Sequence, residues 1–248
     1  MTGLTQARAT DGRDGPSYDL AELGRLLSST ARAAMLQALM DGRARPAGEL
    51  ARCAGVTSST ASEHLTTLSS AGLVSSLNTG RHHYYRICDP TVAEALEALM
   101  LLTPLPPPRS LRASKAARSL ALARTCYDHL AGEVGVAVHD VLVGRAWLVA
   151  SPDGYDVTGA GACGLGALGV DVDAARHTRR SFARPCLDWT ERRSHLAGGL
   201  AAALCDVVLS KGWLVRGELG RGLDLTVDGA EGLARTFGIR MGHPVSLG

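Results

Sequence analysis

Apolar periodicity is absent at the start of the chain and then sets in abruptly. Residues 1–17 are polar, Gly-containing and aperiodic, and are expected to form a disordered tail. From Tyr18 onward, Leu20, Leu23, Leu26 and Leu27 recur at helical spacing. A second helix is expected from Thr30 to Met40, capped by Thr30, with Met35, Leu36 and Leu39 inward and Asp41-Gly42 stopping it. Pro46 suits the first turn of a third helix, PAGELARC. Gly55-Val56 then turns the chain, and Thr57 or Ser58 caps a fourth helix ending near Ala71-Gly72. The period next drops to that of strands. LVSSL (73–77) and HYYRI (83–87) flank Asn78-Thr79-Gly80-Arg81-His82, whose Asn and Gly supply the positive φ values of a hairpin. A final helix, TVAEALEALMLL, follows Asp89-Pro90. Four helices, a hairpin and a helix predict a winged helix-turn-helix over residues 18–102.

TPLPPPR (103–109) can neither continue a helix nor donate normally to a sheet, so it is expected to be a stiff linker and a domain boundary. Beyond it the pattern repeats. His129-Leu-Ala-Gly132 recurs as His195-Leu-Ala-Gly198, and Arg145-Ala-Trp-Leu-Val149 as Lys211-Gly-Trp-Leu-Val215. HDVL (139–142) returns as CDVV (205–208), and Cys126-Tyr-Asp128 as Cys186-Leu-Asp188, with WTERRS inserted in the second copy. A shared register with small insertions implies duplicated units, about 120–173 and 180–240, within a domain of residues 110–248. Each copy reads as a long helix, a Trp-containing turn, a short strand and a helix, with Trp147 and Trp213 as core plugs. The fold class is therefore mostly α with short β hairpins: an N-terminal winged helix-turn-helix followed by an α-rich duplicated domain.

Composition sharpens this picture in three ways. Hydrophobic residues make up 46% of the chain but aromatics only 4%, which favours close-packed helices over a β-sandwich. The 26 basic and 24 acidic residues nearly balance, which excludes a histone-like charge clamp but not a local basic surface on a dimer. The N-terminal residues lack the apolar segment of a signal peptide, and no run of about 18 apolar residues exists. The six cysteines include no C-x-x-C pair, so reduced thiols in the cytoplasm are expected, with no membrane partner.

The segment VTSSTASEHLTTLSSAGLVSSLNTGRHHYYRI carries a family resemblance. Ser62, His64, Leu65, Leu68, Ala71, Gly72, Leu73 and Val74, with Gly80, Arg81 and Tyr85 in the hairpin, match the recognition helix and wing of the ArsR/SmtB winged-helix repressors. The chain resembles that family over about residues 19–102. The resemblance implies an operator-binding homodimeric repressor. Ser58, Ser59, Thr60, Ser62, Glu63 and Thr66, with Arg81 and His82 at the wing tip, are then the DNA-contacting set. Small hydroxyls at a helix N-terminus suit phosphate contact and close approach to the major groove. His64 fits either a DNA contact or a packed structural histidine. Residues 18–102 carry seven Arg and eight acids, so affinity needs help; Arg109, Arg112, Lys115 and Arg118 are spaced to supply it or to form a solvated basic face.

The metal sites that the resemblance implies are missing. The arsenic-type pattern aligns with Glu49-Leu-Ala-Arg-Cys53-Ala-Gly55, where only Cys53 remains, and the last helix offers no His for a zinc-type site. The second domain becomes the expected sensor of a small-molecule effector. Its candidate ligands are Cys126, Asp128 and His129 in one copy and Cys186, Asp188 and His195 in the other. Cys126 and His129, three apart, are expected on one helix face. If the copies meet about a pseudo-dyad, two thiolates and two imidazoles converge as a Cys₂His₂ site requires. The cofactor stays open between metal, haem and an organic effector, with the organic effector placed first; thiol redox sensing and a purely structural role also stand. An enzyme with a cysteine nucleophile finds no supporting motif, and a winged helix used only for protein contact is the remaining alternative.

Overall fold

Hydroxyl and carboxylate caps set most of the helix starts in the computed structural model, which describes residues 20–79, 82–102, 111–217 and 220–242. The tail, the Pro-rich linker and Arg109 fall outside the described residues. In the first half, α1 (Leu20–Leu27) leads to α2 (Thr30–Leu39). Ser29 rather than Thr30 caps α2, its side chain accepting from the Arg32 amide. β1 (Arg45–Pro46), unforeseen in the sequence, pairs with the wing, so Pro46 ends a strand and occupies the cap position of α3 (Ala47–Ala54). A proline at the end of an edge strand withholds no needed ladder donor. Gly55, at φ +65°, turns the chain, and Thr57 caps α4 (Ser58–Ser70) by accepting from the Thr60 amide.

β2 (Val74–Thr79) and β3 (His82–Ile87) form the antiparallel wing, in register from Val74↔Ile87 to Thr79↔His82. The sheet order is β1-β3-β2. Asp89 caps α5 (Pro90–Leu101), with Pro90 in the first turn. Met35, Leu36, Leu39, Leu50, Leu65 and Leu68 form the centre of an apolar core beneath these elements.

After α6 (Leu111–Leu122), the order hairpin, helix, hairpin, helix occurs twice. The first round comprises β4 (Arg124–Cys126), β5 (His129–Ala131), α7 (Gly132–Gly144), β6 (Leu148–Ser151), β7 (Gly154–Val157) and α8 (Gly159–Leu168). After α9 (Val172–Arg176), the second comprises β8 (Arg184–Leu187), β9 (Ser194–Ala197), α10 (Gly199–Ser210), β10 (Leu214–Arg216), β11 (Leu223–Leu225) and α11 (Val227–Phe237). Each short strand expected after a Trp turn is thus one arm of a hairpin. A second apolar core, including Leu142, Leu165, Leu204, Leu214, Leu233 and Phe237, lies inside these two rounds. Equivalent glycines hold equivalent tryptophans: a methyl on Gly161 or Gly229 would overlap the carbonyl oxygen of Trp147 or Trp213, and one on Gly164 or Gly232 would overlap the indole. Trp213 is buried and Trp147 half-buried.

The two cores meet across a polar joint. The Tyr127 amide donates to Met40 O at the end of α2 (2.9 Å), and its ring packs against the first core. Arg221 pairs with Glu97 of α5 where both are buried, and Arg184 pairs with Glu94 of the same helix.

Candidate functional site

The fold presents two candidate functional surfaces. The first is α4 and the wing. Ala61, Leu65 and Leu68 are buried, which turns Ser58, Ser59, Ser62, Glu63 and Thr66 to solvent along the opposite face. Thr60 is half-buried, its hydroxyl 3.0 Å from that of Thr57, and His64 is half-buried. Ser62 Oγ donates to Ser58 O and Thr66 Oγ1 to Ser62 O, both at 2.9 Å. These hydroxyls keep free lone pairs, and their protons must rotate away from the helix before they can serve a phosphate. Arg81 lies outside the described residues, as does the side chain of His82. So do the side chains of Arg112 and Lys115, whereas Arg118 is exposed. Cys53, the remnant of the arsenic-type pattern, is an exposed free thiol.

The second surface is interior. Cys126, His129, Cys186 and His195 meet there, their potential ligand atoms all within 4.8 Å of one another. The route differs from the expected helix face. Cys126 and His129 are cross-strand partners at the mouth of the β4–β5 hairpin, and Cys186 and His195 are partners in β8–β9. Opposed residues of an antiparallel pair have adjacent side chains, so a spacing of three served a tight turn instead of a helix. Two such pairs face each other: the Sγ atoms of Cys126 and Cys186 are 4.0 Å apart, and the two imidazole centroids 5.1 Å apart.

Asp128 and Asp188, candidate ligands in the sequence, stand behind the cluster instead. Asp128 Oδ1 is 3.3 Å from His129 Nδ1, and its other oxygen accepts from Arg180. Asp188 Oδ2 is 3.4 Å from His195 Nδ1 and accepts from the Gly132 amide at 2.7 Å. Its Oδ1 accepts from Arg124 Nη2 at 2.8 Å and from the amide and hydroxyl of Thr190. Arg124 is wholly buried, and Trp189 lies over its guanidinium at 4.3 Å. Arg124 escaped the sequence reading; the signal was a lone cation in the apolar run LALARTC. The inserted WTERRS supplies Trp189 and Thr190, so the insertion builds the shell that holds Asp188.

These contacts set the charges. Burial alone would raise the Asp188 carboxyl, but Arg124, Thr190 and the Gly132 amide hold it well below the usual carboxylate range. Contact with the Cys126 thiol lowers the Cys186 thiol most, and both imidazoles lower it further against burial. Cys126 goes the other way, raised by its contact with Cys186 and by burial. Within the pair the proton leaves Cys186 more readily than Cys126. Burial would lower the His129 imidazolium, yet Asp128 and Cys186 raise it above the ordinary value. Nε2 of His129 and both ring nitrogens of His195 are buried with no hydrogen-bond partner among the described residues. Two thiols and two such imidazoles form a donor set for a borderline or soft metal ion. A narrow cleft opens beside Cys126 and His129, bounded by Pro90, Glu94, Arg180 and Arg184.

A helix-turn-helix domain family matches residues 27–76. The chain is 43% identical over 211 residues to the uncharacterized HTH-type transcriptional regulator YdfF of Bacillus subtilis, covering 85% of this chain and 93% of that one. It is 42% identical over 81 residues to the HTH-type transcriptional regulator CmtR of Mycobacterium tuberculosis, covering 33% of this chain and 68% of the relative. Among solved structures, the cadmium metal-sensor CmtR of Mycobacterium tuberculosis is 42% identical over 32% of this chain and 82% of its own, with a TM-score of 0.28. With its winged helix-turn-helix and a relative aligned along most of its length, the chain belongs to the ArsR-type family of DNA-binding transcriptional regulators.

Proposed function

We propose that the chain acts as a homodimeric, cytoplasmic operator-binding repressor, with residues 18–102 reading DNA and the duplicated residues 110–248 sensing an effector. The observation that carries this reading is α4. Its hydroxyl-rich face, Ser58, Ser59, Ser62, Glu63 and Thr66, is exposed beside the wing while its apolar face is locked into the core. That is the disposition a recognition helix needs to enter a major groove. The homodimer is supported by apolar surface on α1 and α5, where Leu20, Leu99 and Leu102 are exposed beside a cleft lined by Leu27, Leu36, Leu96 and Met100. The duplication is supported by the repeated element order and by the matching Gly–Trp packing. No helix among the described residues is long and apolar enough to cross a membrane.

Footprinting on the promoter of its own or a neighbouring gene tests the reading. A specific footprint is expected with the wild-type chain and lost in Ser62→Ala or Arg81→Ala chains that keep their circular dichroism. A helix whose exposed face is irrelevant to DNA would leave the footprint unchanged in both.

A further inference from the structure

We propose that Cys126, His129, Cys186 and His195 hold one tetrahedral divalent cation of the zinc and cadmium class, and that this ion is the effector. The proposal rests on reading the second half as the sensing half, and it replaces the organic effector placed first from the sequence. Three observations converge on it.

The first is distance. Zn–S bonds of about 2.3 Å in a tetrahedron put the two sulfurs about 3.8 Å apart. The Cys126 and Cys186 Sγ atoms are already 4.0 Å apart, and no ligand pair exceeds 4.8 Å. Closing the site on an ion therefore needs side-chain adjustments, not a refolding.

The second is the pair of Nε2 atoms. A buried polar atom without a partner is costly, on the order of 1–3 kcal/mol. Here the two imidazoles that carry them belong to one cluster with two sulfurs. A metal ion satisfies both at once, whereas a purely structural histidine would have found a carbonyl.

The third is the outer ring. Metal-binding histidines almost always use their other nitrogen on a carboxylate, backbone carbonyl or water, which fixes the tautomer and turns Nε2 toward the metal. Asp128 is within hydrogen-bond distance of Nδ1 of His129, and Asp188 lies 3.4 Å from Nδ1 of His195, a contact that becomes a hydrogen bond only when the ring turns. Each Asp is tied in turn by an arginine, Arg180 or Arg124. The donor set also selects among cofactors. A haem takes one or two protein ligands along an axis, not four around a point, and two thiols disfavour magnesium or calcium, which take oxygen.

The test uses the full chain, stripped with a chelator and titrated with Co²⁺ or Cd²⁺ alone. One equivalent per chain is expected, with the visible bands of tetrahedral cobalt and a sulfur-to-metal charge-transfer band. Cys186→Ser and His195→Gln should each abolish both signatures. Asp128→Asn should keep them with affinity weakened about 10–100-fold. Because a buried variant can lose its fold, alkylation of the wild-type chain gives a second measurement: the ion should protect the half-buried Cys186 and leave the exposed Cys53, Cys88 and Cys163 reactive. Absence of the bands, their persistence in Cys186→Ser, or no protection of Cys186 overturns the site, and the footprint of the repressor reading is untouched by that result. Stoichiometric binding that leaves the footprint unchanged keeps the site but overturns the ion as effector.

Discussion

Asp188 accepts five hydrogen bonds: from Arg124, from the Thr190 amide and hydroxyl, and from the amides of Glu191 and Gly132. Neither its side chain nor that of Arg124 is reached by solvent. Removing one partner of such a pair leaves an uncompensated buried charge, at a cost of about 3–5 kcal/mol. Asp188→Asn is therefore expected to lower the urea midpoint strongly with little change in slope, whereas the double variant Asp188→Asn/Arg124→Met should recover part of the loss, because it removes the unpaired charge and keeps an acceptor for the Thr190, Glu191 and Gly132 donors. A single variant as stable as wild type would show that the pair contributes nothing net. The pH dependence follows from the sign of the shift. The folded carboxyl lies below its unfolded value of about 3.9, so its contribution is complete above that pH and declines as pH falls toward the folded value. The Asp188→Asn chain should lack that part of the acid limb.

Helices α8 and α11 show how much of the second half depends on single missing methyls. Gly161 and Gly229 touch the carbonyls of Trp147 and Trp213, while Gly166, exposed on α8, has nothing within 4 Å of a built Cβ. Gly161→Ala and Gly229→Ala should each destabilise by about 1–3 kcal/mol or more through overpacking. Gly166→Ala should stabilise by about 0.4–1 kcal/mol, because it removes freedom from the unfolded chain alone. Urea midpoints of the three variants check both signs. The same elements mark the limit of what the sequence disclosed. The helices of the first half were legible because period and punctuation agree: hydroxyl or Asp caps open α2, α4 and α5, and glycines follow α2, α3 and α4. The two-residue strand β1 has no period at all, and a proline argued against it. β4 and β5 have three residues each, and Cys126–x–x–His129 satisfies a helix face as well as a hairpin mouth. Only pairing decides between them, and pairing is a long-range property. The Cys126, His129, Cys186 and His195 set was legible nonetheless, because the repeat offered it twice; the buried Arg124–Asp188 support was not, because Asp188 reads as a further candidate ligand and Arg124 as an ordinary surface charge until the fold brings them together.

At the scale of the molecule, the Cys/His cluster stands one residue from the winged-helix portion of the chain. Tyr127 lies between Cys126 and His129 in the left-handed region at φ +62°, and its amide is bonded to the end of α2. The neighbouring Thr125 amide donates to Arg221 O at 3.0 Å, and the Arg221 side chain reaches Glu97 on α5. An ion that draws the β4–β5 turn toward β8–β9 therefore pulls on both α2 and α5, the second of which carries part of the apolar surface proposed for dimerisation. Coupling between two sites is reciprocal: whatever factor the ion imposes on operator affinity, operator imposes on ion affinity, typically about 5–150-fold. The Arg221–Glu97 joint is the contact to interrupt. Glu97→Gln alone leaves a buried arginine without its carboxylate and should destabilise the chain, so the informative variant is Glu97→Gln/Arg221→Met, which removes both charges. It should bind Co²⁺ with wild-type stoichiometry and bind operator DNA when metal-free. The ratio of operator affinities with and without Co²⁺ should fall toward one. If that ratio stays at the wild-type value in the stable double variant, the coupling runs through the Tyr127–Met40 contact and the Arg221 joint serves stability alone.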